Sequence, residues 1–236
     1  MSVKISDLMK TANSSLKGKW LLSIGVSLVS LAILIILAFI PILGSIVTLI
    51  VLGPLLVGLS KYFISLTRNE EVSFNMLFEG FSNQNFARSF VAYLLFIIFL
   101  FLWSLIFIIP FAILIVVYVV NSGLITGDMS NLYSLLNDTS FIIFILLSYL
   151  LLIPAIIAAF SYSMTFFIIA DEPEISGFEA IKKSVQIMKG NKGKLFLLYI
   201  IFSILAVLCV LTLGIAYLWL IPFAGAVAAA FYNSIK

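Results

Sequence analysis

Four long stretches of the chain carry no Asp, Glu, Lys, Arg or His: Trp20 to Ser60, Phe90 to Val120, Phe141 to Ala170 and Leu195 to Ile235, with 41, 31, 30 and 41 residues. A helix crosses the hydrocarbon core of a bilayer in about 20 apolar residues. The two longest stretches therefore fold back as hairpins, and the two middle ones are single long spans that tilt or overhang. The pattern predicts an all-α polytopic membrane protein with six transmembrane helices, at 20–40, 42–66, 87–120, 140–170, 194–213 and 215–235, in one membrane domain over residues 1–236.

The polar segments between these runs keep a helical period of their own. Phe74, Leu77, Phe78 and Phe81 recur at i, i+3, i+4 and i+7 and predict a short amphipathic helix over 72–82. Ile175, Phe178, Ile181, Val185 and Met188 do the same over 174–189, where Pro173 and the early Glu174 and Glu179 suit a helix start. A third such helix, over 3–17, places Ile5, Leu8, Met9, Ala12 and Leu16 on one side, with Ser6 or Ser2 as its cap. These helices are expected at headgroup level or packed under the bundle.

Charge sets the orientation. All 13 Lys and Arg residues fall in segments that six crossings bring to one side: Lys4, Lys10, Lys17 and Lys19; Lys61, Arg68 and Arg88; Lys182, Lys183, Lys189, Lys192 and Lys194; and Lys236. The one sizeable opposite loop, Asn121 to Thr139, holds Asp128 and Asp138 but no cation. Under the positive-inside rule both termini are cytoplasmic, in an inner (cytoplasmic) membrane. The cluster Lys182, Lys183, Lys189, Lys192 and Lys194 is a candidate contact for anionic lipid, or it serves only as the orientation signal.

Composition agrees, with 64% hydrophobic and 10% charged residues against about 25% charged in soluble domains. The net charge of +3 is a topology signal and does not point to nucleic acid. The first apolar run has no small-residue cleavage site behind it and reads as a retained span. Cys209 is the one cysteine, in mid-span, so it says nothing of redox compartment.

Proline and small residues mark bends and contacts. Pro41 and Gly44 suit the turn of the first hairpin and Gly214 that of the last, while Pro110 and Pro154 should kink their helices. Those kinks serve either bundle packing or a substrate site lined by broken helices. Small residues four apart, such as Pro54 and Gly58, Ala155 and Ala159, or Gly225 and Ala229, let helices approach closely in lipid. Ser161, Tyr162, Ser163 and Thr165 form the densest intramembrane polar patch, though hydroxyls can bond back to their own helix. Near an offset of 100 residues, Pro54, Tyr62, Glu71 and the Phe74 helix are echoed by Pro154, Tyr162, Asp171 and the Phe178 helix, a weak parallel internal repeat.

Inventory weighs against catalysis. There is no His, and one Cys cannot build a zinc or iron–sulfur site. No Gly-rich phosphate loop occurs, so no nucleotide-driven engine and no cofactor is expected. Asp171 with Glu172 is the best carboxylate pair, although such pairs are commonly solvated turn residues. Two classes survive. One is a non-enzymatic membrane protein acting through lipids, other membrane proteins or copies of itself, in an accessory, tolerance or envelope-homeostasis role; the other is a passive or partner-driven carrier of a hydrophobic molecule such as a lipid or peptide.

Gly53-Pro54-Leu55, Leu77-Phe78-Glu79-Gly80-Phe81, Ser161-Tyr162-Ser163-Met164, Ala170-Asp171-Glu172-Pro173, Glu179-Ala180-Ile181, Met188-Lys189-Gly190-Asn191-Lys192, Leu195-Phe196 and Phe231-Tyr232 together resemble the bacterial integral-membrane family named domain of unknown function 975. The resemblance covers nearly the whole chain. It implies a six-helix bacterial membrane protein and supplies no activity.

The orientation is checked by cysteine labelling in a background lacking Cys209. Cysteines at Asn131 or Ser134 should react with an impermeant thiol reagent from outside intact cells, and cysteines at Ser82 or Asn191 should not. Reversed labelling would overturn the orientation.

Overall fold

The computed structural model describes residues 4–121 and 139–236. The expected outer loop with Asp128 and Asp138, and the candidate cap Ser2, lie outside them. The described residues form helices only: α1 (Ile5–Leu16), α2 (Trp20–Ala38), α3 (Leu43–Thr67), a 3-10 helix (Phe74–Phe81), α4 (Asn83–Asn121), α5 (Thr139–Ser148), a 3-10 turn (Tyr149–Leu152), α6 (Ile153–Tyr162), α7 (Thr165–Asp171), α8 (Gly177–Ile187), α9 (Lys192–Val210) and α10 (Tyr217–Ile235). Six helical stretches are long and apolar enough to cross a membrane, with mean hydropathy from 1.5 for Tyr217–Ile235 to 2.9 for Asn83–Val117.

The chain divides into two units, residues 1–96 with 160–236, and residues 97–159. In the first, α3 is the central element and touches α2, α7 and α10. Its lower half is closed in by its neighbours, with Tyr62, Ile64 and Leu66 fully buried beside Phe231 and Tyr232 of α10. The Tyr62 hydroxyl meets Ser23 of α2 at 2.8 Å, which satisfies two polar groups that lipid could not. In the second unit, Phe107 stacks on Phe111 at 5.1 Å and on Tyr149 at 6.2 Å. The helix stays continuous through Pro110. Pro154 is instead the second residue of α6, directly behind the 3-10 turn, where a missing N–H costs nothing.

Three short elements differ from the sequence expectation. α1 begins behind Lys4 with no side-chain cap, and Ser6 bonds Asp7 instead; its buried Leu8, Ala12 and Leu16 belong to the core, and it packs on α10. The Phe74–Phe81 segment, expected as an amphipathic α-helix at headgroup level or packed under the bundle, is a 3-10 helix laid backbone-to-backbone on α3. Glycine makes this approach possible. A Cβ at Gly58 would run into the Leu77 carbonyl, and one at Gly80 into the carbonyl of Pro54. Since Gly58 and Pro54 stand nine and 13 residues before Thr67, the segment reaches back roughly 14–20 Å along α3 from its charged end.

The third element, α8, starts later than Pro173. Ser176 caps it through a capping box: its hydroxyl accepts from the Glu179 N–H at 3.3 Å while the Glu179 carboxylate accepts from the Ser176 N–H at 3.2 Å. The Ser176 hydroxyl and N–H hold the Glu179 carboxyl below its ordinary value. A lowered carboxyl contributes at neutral pH, and the contribution is lost as pH falls through that lowered value.

Helix α8 also turns back. Its Ser184 hydroxyl donates to the Ser161 carbonyl at 2.7 Å and accepts from the Met164 N–H at 3.1 Å. So α3 with its 3-10 helix, and α6–α7 with α8, share one plan, in which a membrane-length helix ends in an acidic turn and a short helix doubles back on it.

Gly58→Ala and Gly80→Ala should each lower thermal stability in detergent by about 1–3 kcal/mol, because carbonyl groups of rigid helices must move to admit the methyl group. Gly25 of α2 is the control: a Cβ there meets open space, so Gly25→Ala should be neutral or stabilising. Equal melting temperatures for all three variants would refute the close approach.

Candidate functional site

The charged ends of three helices meet at one carboxylate. Asp171 ends α7, Arg68 caps the C-terminus of α3, and Tyr232 and Lys236 stand at the end of α10. The Arg68 guanidinium donates to both Asp171 oxygens, Nη1 to Oδ1 at 2.7 Å and Nη2 to Oδ2 at 2.9 Å. Oδ2 also accepts from the Tyr232 hydroxyl at 2.9 Å and from Lys236 Nζ at 2.6 Å. The Asp171 side chain is only 7% exposed. Two cations and a phenol thus surround an acid that would be costly to bury alone. Hydrogen bonding to Asp171 raises the Arg68 pKa above its ordinary value, with partial burial opposing it.

The cluster extends outward. Arg68 Nη2 and Nε donate to the Asn233 side-chain oxygen at 2.9 and 3.2 Å, Asn233 Nδ2 donates to the Thr67 hydroxyl at 2.9 Å, and Thr67 returns to the Phe63 carbonyl at 2.9 Å. Lys183 of α8 donates to both Glu172 oxygens at 2.6 and 2.7 Å. Arg88, in the second turn of α4, reaches the Glu172 and Ile175 carbonyls at 3.0 and 3.2 Å and the Asn85 amide. Lys19, just ahead of α2, donates to the Glu70 carbonyl at 2.9 Å. The pair Asp171 and Glu172 is therefore committed to holding helix ends. Its lone pairs point at cations of the same chain, which suits a clasp better than proton transfer.

The intramembrane polar patch coincides with a break between α6 and α7. The Ser163 hydroxyl bonds back to the Phe160 carbonyl at 2.8 Å and that of Thr165 to the Tyr162 carbonyl at 2.7 Å. Ser161 contributes its carbonyl to Ser184, and the Tyr162 ring meets Phe96 edge-on at 6.4 Å. The patch supports the break, with Ser184 plugging it. Beside it lies a cleft of about 200 Å³, lined by Ser163, Leu195, Leu198, Tyr199, Phe202 and Ala228 among others.

The lysine cluster divides into committed and uncommitted members. Lys183 is held by Glu172, and Lys182 Nζ sits 4.6 Å above the Phe178 ring. Lys189, Lys192 and Lys194 have no carboxylate within 4.0 Å among the described residues. Among those residues, no three Cys, Asp or Glu side chains come together as a cation site.

Three interactions lay outside the sequence reading: the Arg68–Asp171 pair, the Ser184 bonds to Ser161 and Met164, and the Ser176–Glu179 capping box. Arg68 and Asp171 are 103 positions apart, and nothing local in either segment announces the other. Ser184 is not one of the apolar residues that define the stripe of its helix, and nothing in its spacing points to Ser161 or Met164. The Ser176-Gly177-Phe178-Glu179 capping box was legible as Ser-x-x-Glu ahead of apolar residues, but the earlier Pro173 and Glu174 drew the start forward.

A family model described as protein of unknown function (DUF975) matches residues 1–236, and the chain belongs to that family. No curated protein and no solved structure matches it.

The clasp is tested by a double-mutant cycle in detergent. Arg68→Ala and Asp171→Ala should each destabilise the protein, since each strands a partner charge, and their coupling should be about 0.5–3 kcal/mol. Additive effects of the two substitutions would show that the pair does not act as a unit.

Proposed function

We propose that this DUF975 protein is a non-enzymatic protein of the bacterial cytoplasmic membrane, with both termini cytoplasmic, that works through contact with anionic lipid and with other membrane proteins. The observation that carries this reading is the split in the lysine cluster. Asp171 and Glu172 are taken up by Arg68, Lys183 and Lys236, whereas Lys189, Lys192 and Lys194 have no carboxylate within 4.0 Å among the described residues and are left to find anions elsewhere. At a membrane surface the abundant anions are phospholipid headgroups, and each lysine near them contributes about 1 kcal/mol. The exposed faces of the apolar helices, including Phe196, Leu197 and Ile204 of α9, suit hydrocarbon and leave the contact chemistry to that charged end. An accessory or envelope-homeostasis role fits a protein whose polar groups are spent on its own architecture.

A carrier of a hydrophobic molecule is the competing reading, and the cleft beside Ser163 favours it. Transfer of lipid between vesicle populations by the reconstituted protein would replace the contact reading with that one.

The contact reading is tested with full-length protein in vesicles of mixed phosphatidylcholine and phosphatidylglycerol carrying spin-labelled lipids. The parent protein should prefer the anionic label, and replacing Lys189, Lys192 and Lys194 together by Gln should remove most of that preference, with a difference that shrinks as salt rises. Retention of the parental preference by the triple variant at low salt would count against lipid contact through these lysines.

A further inference from the structure

We propose that the cleft beside the α6–α7 break is a binding site for one acyl chain of an anionic phospholipid, whose phosphate is met by Lys192 with Lys189 and Lys194. The inference rests on the lipid-contact reading above and gives it a defined site. It starts from a vacancy in the packing. Where α6 ends and α7 begins, the wall is Ser163 and Met164, and α10 presents Ala224 and Ala228 opposite, so about 200 Å³ is left unfilled. The cleft is open on the side where Tyr199 is 56% exposed, and buried Leu195 and Leu198 form its inner wall. In hydrocarbon an open apolar cleft does not stay empty, because its lining would forfeit dispersion contacts that a lipid chain supplies.

Charge selects which lipid. Lys192, Leu195, Tyr199 and Phe202 follow one another at i, i+3, i+7 and i+10, which puts them on one face of α9 with the cation above and the cleft below. Leu195 stands roughly 5 Å and Phe202 roughly 15 Å along the helix from Lys192, the direction and depth an acyl chain takes when its phosphate is at the lysine. Lys189, in the tight turn before α9, and Lys194, in its first turn, add cations with no acidic partner among the described residues. A zwitterionic phospholipid would fill the cleft equally well, but its own ammonium group offsets the phosphate and leaves the lysines with no net negative charge to balance.

The test is native mass spectrometry of the full-length protein, taken from vesicles of mixed phosphatidylcholine and phosphatidylglycerol into mild detergent. The parent should retain one phosphatidylglycerol. Ala228→Leu, which puts an isobutyl group into the cleft, should lose that lipid while keeping the salt-sensitive preference for anionic spin label. Lys192→Gln should still retain a lipid but discriminate about fivefold less between the two headgroups. Should Ala228→Leu not fold, Ala224→Val narrows the same cleft from a half-buried position and carries the same expectation. Parental retention in whichever filled variant folds would overturn the site, as would absence of a retained lipid in a parent that still prefers the anionic label. Loss of that preference in the parent itself would instead overturn the lipid-contact reading on which the site depends.

Discussion

A bilayer offers a helix nothing to hydrogen-bond and no water to escape from, so helices inside it cohere through close contact and through polar groups that satisfy one another. In this protein the second requirement is concentrated at Asp171. One carboxylate takes hydrogen bonds from the α3 cap Arg68 and from Tyr232 and Lys236 of α10, so three helix ends have a single common ligand. Lys183 and Arg88 tie α8 and α4 to the neighbouring Glu172. Removing the acid would leave two cations facing each other at the rim of an apolar bundle, which is a larger loss than the removal of any one donor.

The first requirement, close contact, is met by glycines placed where a neighbour's backbone arrives. Gly58 and Gly80 admit the 3-10 helix onto α3, and Gly225 admits the Phe63 ring onto α10. Gly177 admits the N-terminus of α8 against Ala92. These approaches explain why the two short helices lie against spans and do not spread along a surface. Their apolar stripes are covered by protein: Leu77, Ala180 and Ile181 are buried, although Phe78 and Phe178 remain exposed.

Six membrane-length helices were legible in the sequence because a bilayer demands long uncharged runs and leaves few ways to satisfy that demand. The short helices were legible as amphipathic segments, but their conformation and seat were not. Spacing at i and i+3 fits a 3-10 turn as well as an α turn, and Phe74–Phe81 took the tighter form against α3. The break at Ser163–Met164 was hidden for a related reason. Ser and Thr in a span bond to carbonyls three or four residues back whether the helix runs on or stops, so the polar patch marked the place and not the interruption. The clasp was invisible in kind: Arg68 reads as a topology signal and Asp171 as a turn residue, and only the fold brings them within 2.7 Å.

The order of the clasp's parts along the chain bears on how the protein is made. Synthesis delivers Arg68 first, Asp171 about a hundred residues later, and Tyr232 and Lys236 last. The buried acid can therefore meet its guanidinium as soon as α7 is inserted, and it waits for α10 to receive its remaining donors. Before that moment the bundle has an unfilled coordination place at its rim and lacks the surface that covers Tyr62 and Ile64. Until α10 is in place, Asp171 is balanced by Arg68 alone and lacks the two further donors, Tyr232 and Lys236, that complete its hydrogen bonding.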